Sequence, residues 1–220
     1  MITIPTGEFV GILSDAIPFA CTDDDLPSMN CVLVEWDGDV MHAISTDSIR
    51  MAWSQWAEDD ELPSGEVVQE DLLSPWGADD GDEPWSILLP LADAKHLVKT
   101  YKLPVKEVWT PLQVDVDRGA VPMRLVVERR RETGHSAIRT VVEGSTADFP
   151  KIRDVLTKFD RLEPVTDLAY TATRLADFAK VRPRGPMELK FTGRKTPTHV
   201  TIGTRFIGAI QPARIGKDPA

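Results

Sequence analysis

The chain of 220 residues reads as an α+β protein built from one repeated unit of a strand, a helix and further strands. Three observations predict this. The same order of elements recurs three times, at roughly 60 to 80 residues. Each helix-like stretch carries apolar residues at the helical period and follows directly on a short apolar strand. Turn signals such as Asp37-Gly38-Asp39, Asp117-Arg118-Gly119 and Thr133-Gly134 cut the remaining segments into short strands. A helix with one apolar face buries it only if two units pair their sheets around a shared core.

Unit one opens with a strand at Ile2–Pro5. A helix is expected from about Thr6, with Phe9, Val10, Leu13 and Ile17 on one face, Thr6 and Glu8 as start signals, and Pro18 at its end. Strands at Met29–Trp36, Val40–Ser45 and Ile49–Trp56 follow, the first two joined at the Asp-Gly pair. Ser54–Ser86 is an acidic connector. Its density of acids, Gly and Pro predicts a solvated loop, with a partner-binding or DNA-mimicking segment as the alternative, because Leu72, Leu73, Trp76 and Trp85 interleave apolar anchors with the charge.

Unit two has a strand at Ser86–Leu89, Pro90, and a helix at Leu91–Tyr101. Leu91, Ala94, Leu97, Val98 and Tyr101 share one face, and Lys95, Lys99 and Lys102 fall on another. Strands are expected at Val105–Val116, Met123–Arg130 and Ser136–Glu143. Unit three has a strand at Leu168–Thr171, a helix from about Thr173 to Val181, a break at Pro183-Arg184-Gly185-Pro186, and strands at Met187–Thr192, His199–Gly203 and Phe206–Ile210.

The net charge of −10 argues against a nucleic-acid binder, because phosphate contacts need Lys and Arg. Its distribution changes that reading. Ser54–Ser86 holds eleven acids and no base. Up to residue 86 the chain has 20 acids and one base; after it, 15 acids and 24 bases. A basic surface is therefore open to the C-terminal part alone. No apolar run approaches the length of a membrane span, and the start Met-Ile-Thr-Ile-Pro lacks the regions of a signal peptide, so the expected place is the cytoplasm. Cys21 and Cys31 form no Cys-x-x-Cys, the four histidines have no ligand spacing, and Asp23-Asp24-Asp25 reads as turn residues. Neither metal nor cofactor is expected. There is no Walker loop, no Gly-x-Ser-x-Gly and no dinucleotide fingerprint, so no enzyme is expected either.

Three segments carry a more specific signal. Ala43–Ala52 reads Ala-Ile-Ser-Thr-Asp-Ser-Ile-Arg-Met-Ala, a strand broken by Thr46-Asp47-Ser48, whose short polar side chains favour a tight turn by bonding their own backbone. Phe149-Pro150-Lys151-Ile152-Arg153-Asp154-Val155-Leu156 links units two and three, and Gly208-Ala209-Ile210-Gln211-Pro212-Ala213-Arg214-Ile215 follows the last turn. In this order the three resemble segments of bacterial sliding clamps, the β subunit of DNA polymerase III. There a Thr-Asp-Gly-His-Arg-Leu-Ala turn, a Phe-Pro-x-x-Arg segment and a terminal Met-Pro-Met-Arg-Leu strand build one peptide-binding pocket.

The resemblance implies a DNA-clamp fold with antiparallel sheets outside and helices inside. It makes residues 1–157 a complete clamp-type domain of two half-units and 158–220 a half domain. It implies a pocket of Thr46, Ser48, Ile49, Arg50, Met51, Pro150, Val155, Arg174, Ile210, Gln211, Pro212, Ala213, Arg214 and Ile215 for short peptides of polymerases and clamp loaders. Ser48 replaces a Gly, Ile49 a His, Gln211 and Ala213 stand where the family has Met, and Arg174 falls where a Tyr is usual, so a different peptide preference is expected. It implies contact with the phosphates of duplex DNA, without sequence reading, through Lys95, Lys99, Lys102, Lys180, Arg182 and Arg184. The helix of unit one offers only Glu8 and Asp15.

The implied role is a processivity factor: a homo-oligomeric ring around DNA that tethers a polymerase. Three half-units per chain reach the family's twelve with four chains, or unit three pairs with a neighbour's unit three, or the ring stays open. The last case is the alternative function, a clamp-like interaction protein that binds the same peptides as a decoy or accessory factor.

Overall fold

A computed structural model describes residues 1–58, 83–104, 107–130, 137–157, 165, 167–182 and 186–213. Unit one comprises β1 (Ile2–Pro5), α1 (Thr6–Ala16), a 3₁₀ turn at Ile17–Phe19, β2 (Cys31–Trp36), β3 (Val40–Thr46) and β4 (Arg50–Ala57). Unit two comprises β5 (Trp85–Pro90), α2 (Leu91–Tyr101), β6 (Pro111–Asp117), β7 (Arg124–Arg130) and β8 (Ala137–Glu143). The link forms α3 (Arg153–Thr157), and unit three has α4 (Ala172–Ala176), a 3₁₀ turn at Asp177–Lys180, β9 (Met187–Lys190), β10 (Thr198–Ile202) and β11 (Phe206–Ile210).

Units one and two exchange their first strands. β1 pairs with β6 and β5 with β2, so one antiparallel sheet runs β1-β6-β7-β8 and the other begins β5-β2-β3-β4. Unit three continues the second sheet, β11 pairing with β4, to give the order β5-β2-β3-β4-β11-β10-β9. The exchange has a local cause. Pro5 and Pro90 each end a strand and start a helix, their φ of −57° and −51° fitting both roles. The chain therefore turns from the neighbour's sheet onto its own. Neither helix start carries a side-chain cap. Instead Thr6 and Gly7 donate their backbone N–H to Thr110 and Val108 (2.9 and 2.8 Å), and Leu91 donates to the Asn30 carbonyl (3.1 Å).

α1 and α2 pack on each other between the sheets. Phe9, Ile12, Leu13 and Ala16 of α1 and Leu91, Ala94, Leu97 and Tyr101 of α2 are buried in the main core with Ile4, Val34, Leu89, Val114 and Val127. The Tyr101 hydroxyl donates to the Val127 carbonyl at 2.7 Å, so its ring is buried with its polar tip satisfied. Among the described residues unit three shares its core with unit one: Phe178, Val181, Val200, Phe206 and Ile210 cluster with Phe19 and Ala52.

Some expected elements differ. The strand expected at Val105–Val116 begins at Pro111, because the backbone at 108 and 110 is turned to cover the start of α1. Residues 105 and 106 lie outside the described residues, as do most of the acidic connector, at 59–82, and residues 158–164, where the expected boundary between the two domains falls. The link, for which no element is predicted, holds α3. The third helix is shorter and starts one residue earlier. The strand expected at Leu168–Thr171 is reduced to one antiparallel bridge, Ala169 to Ala213.

Candidate functional site

The turn after β3 holds itself together. The Asp47 carboxylate accepts the backbone N–H of Ile49 (3.0 Å) and Arg50 (2.6 Å), and the Thr46 hydroxyl accepts that of Ser48 (3.1 Å) and donates to the Arg50 carbonyl (2.8 Å). Ser48 has φ of +70°, the left-handed conformation that favours Gly, at the position where the sliding clamps have one.

The resemblance puts Arg50 in the pocket, where its guanidinium offers fixed donors to a peptide. The structure gives them other work. Its Nε and Nη2 donate to Asp47 (3.0 and 2.8 Å), Nη1 donates to Asp177 of unit three, and the guanidinium lies 5.5 Å from the Phe19 ring centre. Only 7% of the residue is exposed. Asp177 is also paired with Lys180 at 2.5 Å. Although partial burial pushes its carboxyl pKa up, the hydrogen bonds from Lys180 and Arg50 outweigh that and hold it below the usual range. Arg50 is thus a clip between units one and three.

On the outer face of the seven-stranded sheet, away from the helices, the link lies across the junction. Ile152 and Leu156 are buried with Ile44 and Ala209, and Leu33, Met51, Trp53, Phe149 and Ile207 pack partly buried around them. Arg153 pairs with Glu35 and lies 5.1 Å from the Trp53 ring centre. Pro150 and Val155 are half-buried on this link. Beyond β11 the Gln211 N–H donates to the Ile49 carbonyl (2.8 Å), its side chain donates to the Lys195 carbonyl (2.8 Å), and Pro212 is buried.

Of the expected pocket residues, the structure therefore brings Ile49, Met51, Gln211 and the link to one junction. It turns Arg50 and Ile210 to the opposite, helix side, Ile210 being buried with Phe178 and Phe206, because alternate residues of a strand face opposite ways. Arg174 is half-buried on α4. Arg214 and Ile215 lie outside the described residues. Trp53, Ile152, Leu156 and Ile207, which complete the apolar surface, were not expected. Trp53 and Ile207 show the strand alternation that could have found them. A cavity of about 450 Å³ lies away from the junction, against Asp24, Asn30, Pro90 and Lys95, and one of about 440 Å³ borders it, against Leu33 and Phe149 on one side and Ile87, Met123 and Gly144 on the other.

On the helix side, Lys95 and Lys99 are exposed on α2 and Lys102 directly after it, with no ion pair among the described residues. Lys180 is 63% exposed but paired with Asp177. Arg182 does not join this basic face. Its backbone N–H donates to Asp15 (2.9 Å), its Nε donates to the same carboxylate (3.3 Å), and Glu8 is 3.7 Å from its Nη1. Arg205 reaches Glu8 at 3.2 Å. Gly11 leaves the guanidinium room to lie on α1, where a Cβ would collide with it. Asp15 is 1% exposed; burial pushes its carboxyl pKa up, against the pull of Arg182 and the Ser54 hydroxyl. The two acids of α1 are thus the partners of two unit-three arginines, and no residue of α1 is exposed. Arg184 lies outside the described residues.

Two units that exchange strands around paired helices, with a third unit's sheet continuing theirs, make up a DNA-clamp fold. The chain is similar to the DNA polymerase III β subunit of Thermotoga maritima (TM-score 0.71, 12% identity, 98% of this chain and 65% of that one). It is similar as well to the DNA polymerase sliding clamps of Pseudomonas aeruginosa (0.67, 11%, 97% and 66%) and Bacillus subtilis (0.67, 12%, 98% and 64%). The chain spans less than two-thirds of the length of these proteins. No protein-family model matches it, and no curated protein matches it in sequence. Among the described residues no helix is long and apolar enough to cross a membrane.

Proposed function

We propose that this protein is a non-enzymatic, clamp-like processivity factor. It encircles duplex DNA as a homo-oligomeric ring, with the helices toward the DNA, and holds polymerase and clamp-loader-type proteins by short peptides on the outer face. The observation that carries this reading is the segregation of the two faces of one sheet-and-helix layer. The helix side presents the exposed Lys95, Lys99 and Lys102, while the outer side presents an apolar junction of Met51, Trp53 and Ile207 beside the link. The acids of α1, an objection to DNA contact in the sequence, are engaged by Arg182 and Arg205 and covered. Tethering helps a polymerase because a bound partner stays at high effective concentration near the template.

A topological link is distinguished from ordinary charge attraction by the shape of the DNA. Protein loaded on nicked circular plasmid should stay with it through gel filtration and be released when the plasmid is linearised. Lys95→Glu/Lys99→Glu should weaken DNA binding and lower the log–log salt slope by about 2, at about 0.9 for each phosphate that is no longer neutralised. Equal retention on circular and linear DNA would favour the open, accessory reading instead. An unchanged salt slope would remove α2 from the DNA face.

A further inference from the structure

Unit three contains an unfinished version of the exchange that units one and two complete. β5, the first strand of unit two, uses both its edges. On one, the Leu88 carbonyl accepts the Ser145 N–H at 2.7 Å, from the segment just after β8, the last strand of its own unit. On the other, it pairs along its length with β2 of unit one. In unit three, residues 168–171 occupy the place of β5, Thr171 standing directly before α4 as Pro90 stands before α2. The Ala169 carbonyl accepts the Ala213 N–H at 2.7 Å, from the segment just after β11. Ala169 lies two residues before Thr171, as Leu88 lies two before Pro90. The contact within the unit is therefore present, and among the described residues no strand pairs with the other edge.

Among the described residues the receiving side is open too. β2 and β6 each take up the other unit's first strand, whereas β9, their counterpart, ends its sheet. Met187 and Phe191 at this edge are 47% and 41% exposed. α1 and α2 bury their faces on each other, but α4 has no buried residue.

We infer that two copies of this chain complete one domain from their third units, each laying residues 168–171 along the free edge of the other's β9. The repeat supplies the register. The residue before the helix sits opposite the first residue of the receiving strand in both complete cases, Pro5 opposite Pro111 and Pro90 opposite Cys31. The same rule puts Thr171 of one copy opposite Met187 of the other, and Ala169 opposite Leu189. The occupant is a second copy because donor strand and acceptor edge lie on the same unit, so one two-fold axis satisfies both at once. An open edge of this kind is otherwise a template for uncontrolled pairing. The inference deepens the ring proposed above and rests on it for its purpose, but not for its test.

Directly opposed antiparallel residues hold their Cα atoms about 4.5–5.5 Å apart, within disulfide reach. Thr171→Cys and Met187→Cys chains, co-expressed in a Cys21→Ser background and oxidised, should form a disulfide heterodimer. Both positions are exposed, so both chains should fold. Thr171→Cys with Lys190→Cys, three residues and about 10 Å further along the strand, should form several-fold less. Met187→Asp should lower the mass of the wild-type assembly seen by light scattering. Equal yields for the two cysteine pairs, or no disulfide from either, would overturn the inference. The disulfide with release from circular DNA would sink the ring alone, and retention on circular DNA without the disulfide would sink this pairing alone.

Discussion

At the scale of single residues, Asp37 shows how a turn read correctly hides its energetics. The Asp37-Gly38-Asp39 hairpin was legible because Asp-Gly is a strong turn signal and Gly38 takes φ of +117°. What the carboxylate does was not legible, because its partner His42 is fixed only when β3 forms. Asp37 accepts the Asp39 and Val40 N–H groups (3.0 and 2.8 Å) and lies 2.8 Å from His42 Nε2, whose ring accepts the Trp53 N–H at 3.0 Å. Burial alone would raise the Asp37 pKa. The His42 hydrogen bond and the two backbone donors outweigh it and bring the pKa to about 2. A carboxyl held below its unfolded value stabilises the fold above pH about 4 and loses that contribution as the pH falls to about 2. With Asp37 half-exposed, solvent screening reduces the contribution to about 1 kcal/mol. The stability difference between wild type and Asp37→Asn, from urea melts at several pH values, should therefore be largest above pH about 5 and vanish near pH 2. A difference independent of pH would show that the loss is steric.

At the scale of elements, period and punctuation located most helices and strands, and their limits fell where tertiary contacts decide. α3 is too short for a period to show, and it folds because Ile152 and Leu156 find Ile44 and Ala209, more than 50 residues away in sequence. Residues 168–171 have the composition of a strand, yet among the described residues they pair only through the bridge from Ala169 to Ala213. The turn at Thr46-Asp47-Ser48 was found in place, yet the strands on either side divide the expected pocket between two faces, and Arg50 follows the inner one. Arg50 joins the turn, β4 and the 3₁₀ turn of unit three, so its loss acts on the β4–β11 junction rather than on a ligand. Arg50→Ala removes the guanidinium from Asp47 and leaves Asp177 with Lys180, both carboxylates at about 15% exposure, and should cost about 3 kcal/mol, near the low end for breaking a buried ion pair. Arg50→Lys should fall between, since an ammonium cannot reproduce the bidentate contact to Asp47. A denaturation midpoint unchanged in Arg50→Ala would mean that the guanidinium holds nothing and is free for a peptide after all.

At the scale of the whole molecule, charge was legible and its pairing was not. The composition shows that the first 86 residues are acidic and the rest basic, but a single sequence does not say that Glu8 and Asp15 meet Arg182 and Arg205, nor how copies of the chain meet. One part of the charge can be removed with little consequence for the core. Residues 59–82 run between β4 and β5, which stand three strand spacings apart in one sheet, about 14 Å, a gap that six residues span. If this connector is the solvated loop its composition predicts, replacing it with a six-residue Gly-Ser linker shortens the closed loop fourfold and should stabilise the protein by about 1 kcal/mol. The same change removes nine acids and takes the net charge from −10 to −1. DNA binding should then tighten, most at low ionic strength, where unscreened acids repel the phosphates over the longest range. Thermal melts and a salt series read the two effects separately. Higher stability with unchanged DNA binding would place the connector away from the DNA path, and lost stability would show that its Leu72, Leu73 and Trp76 anchors are packed against the fold.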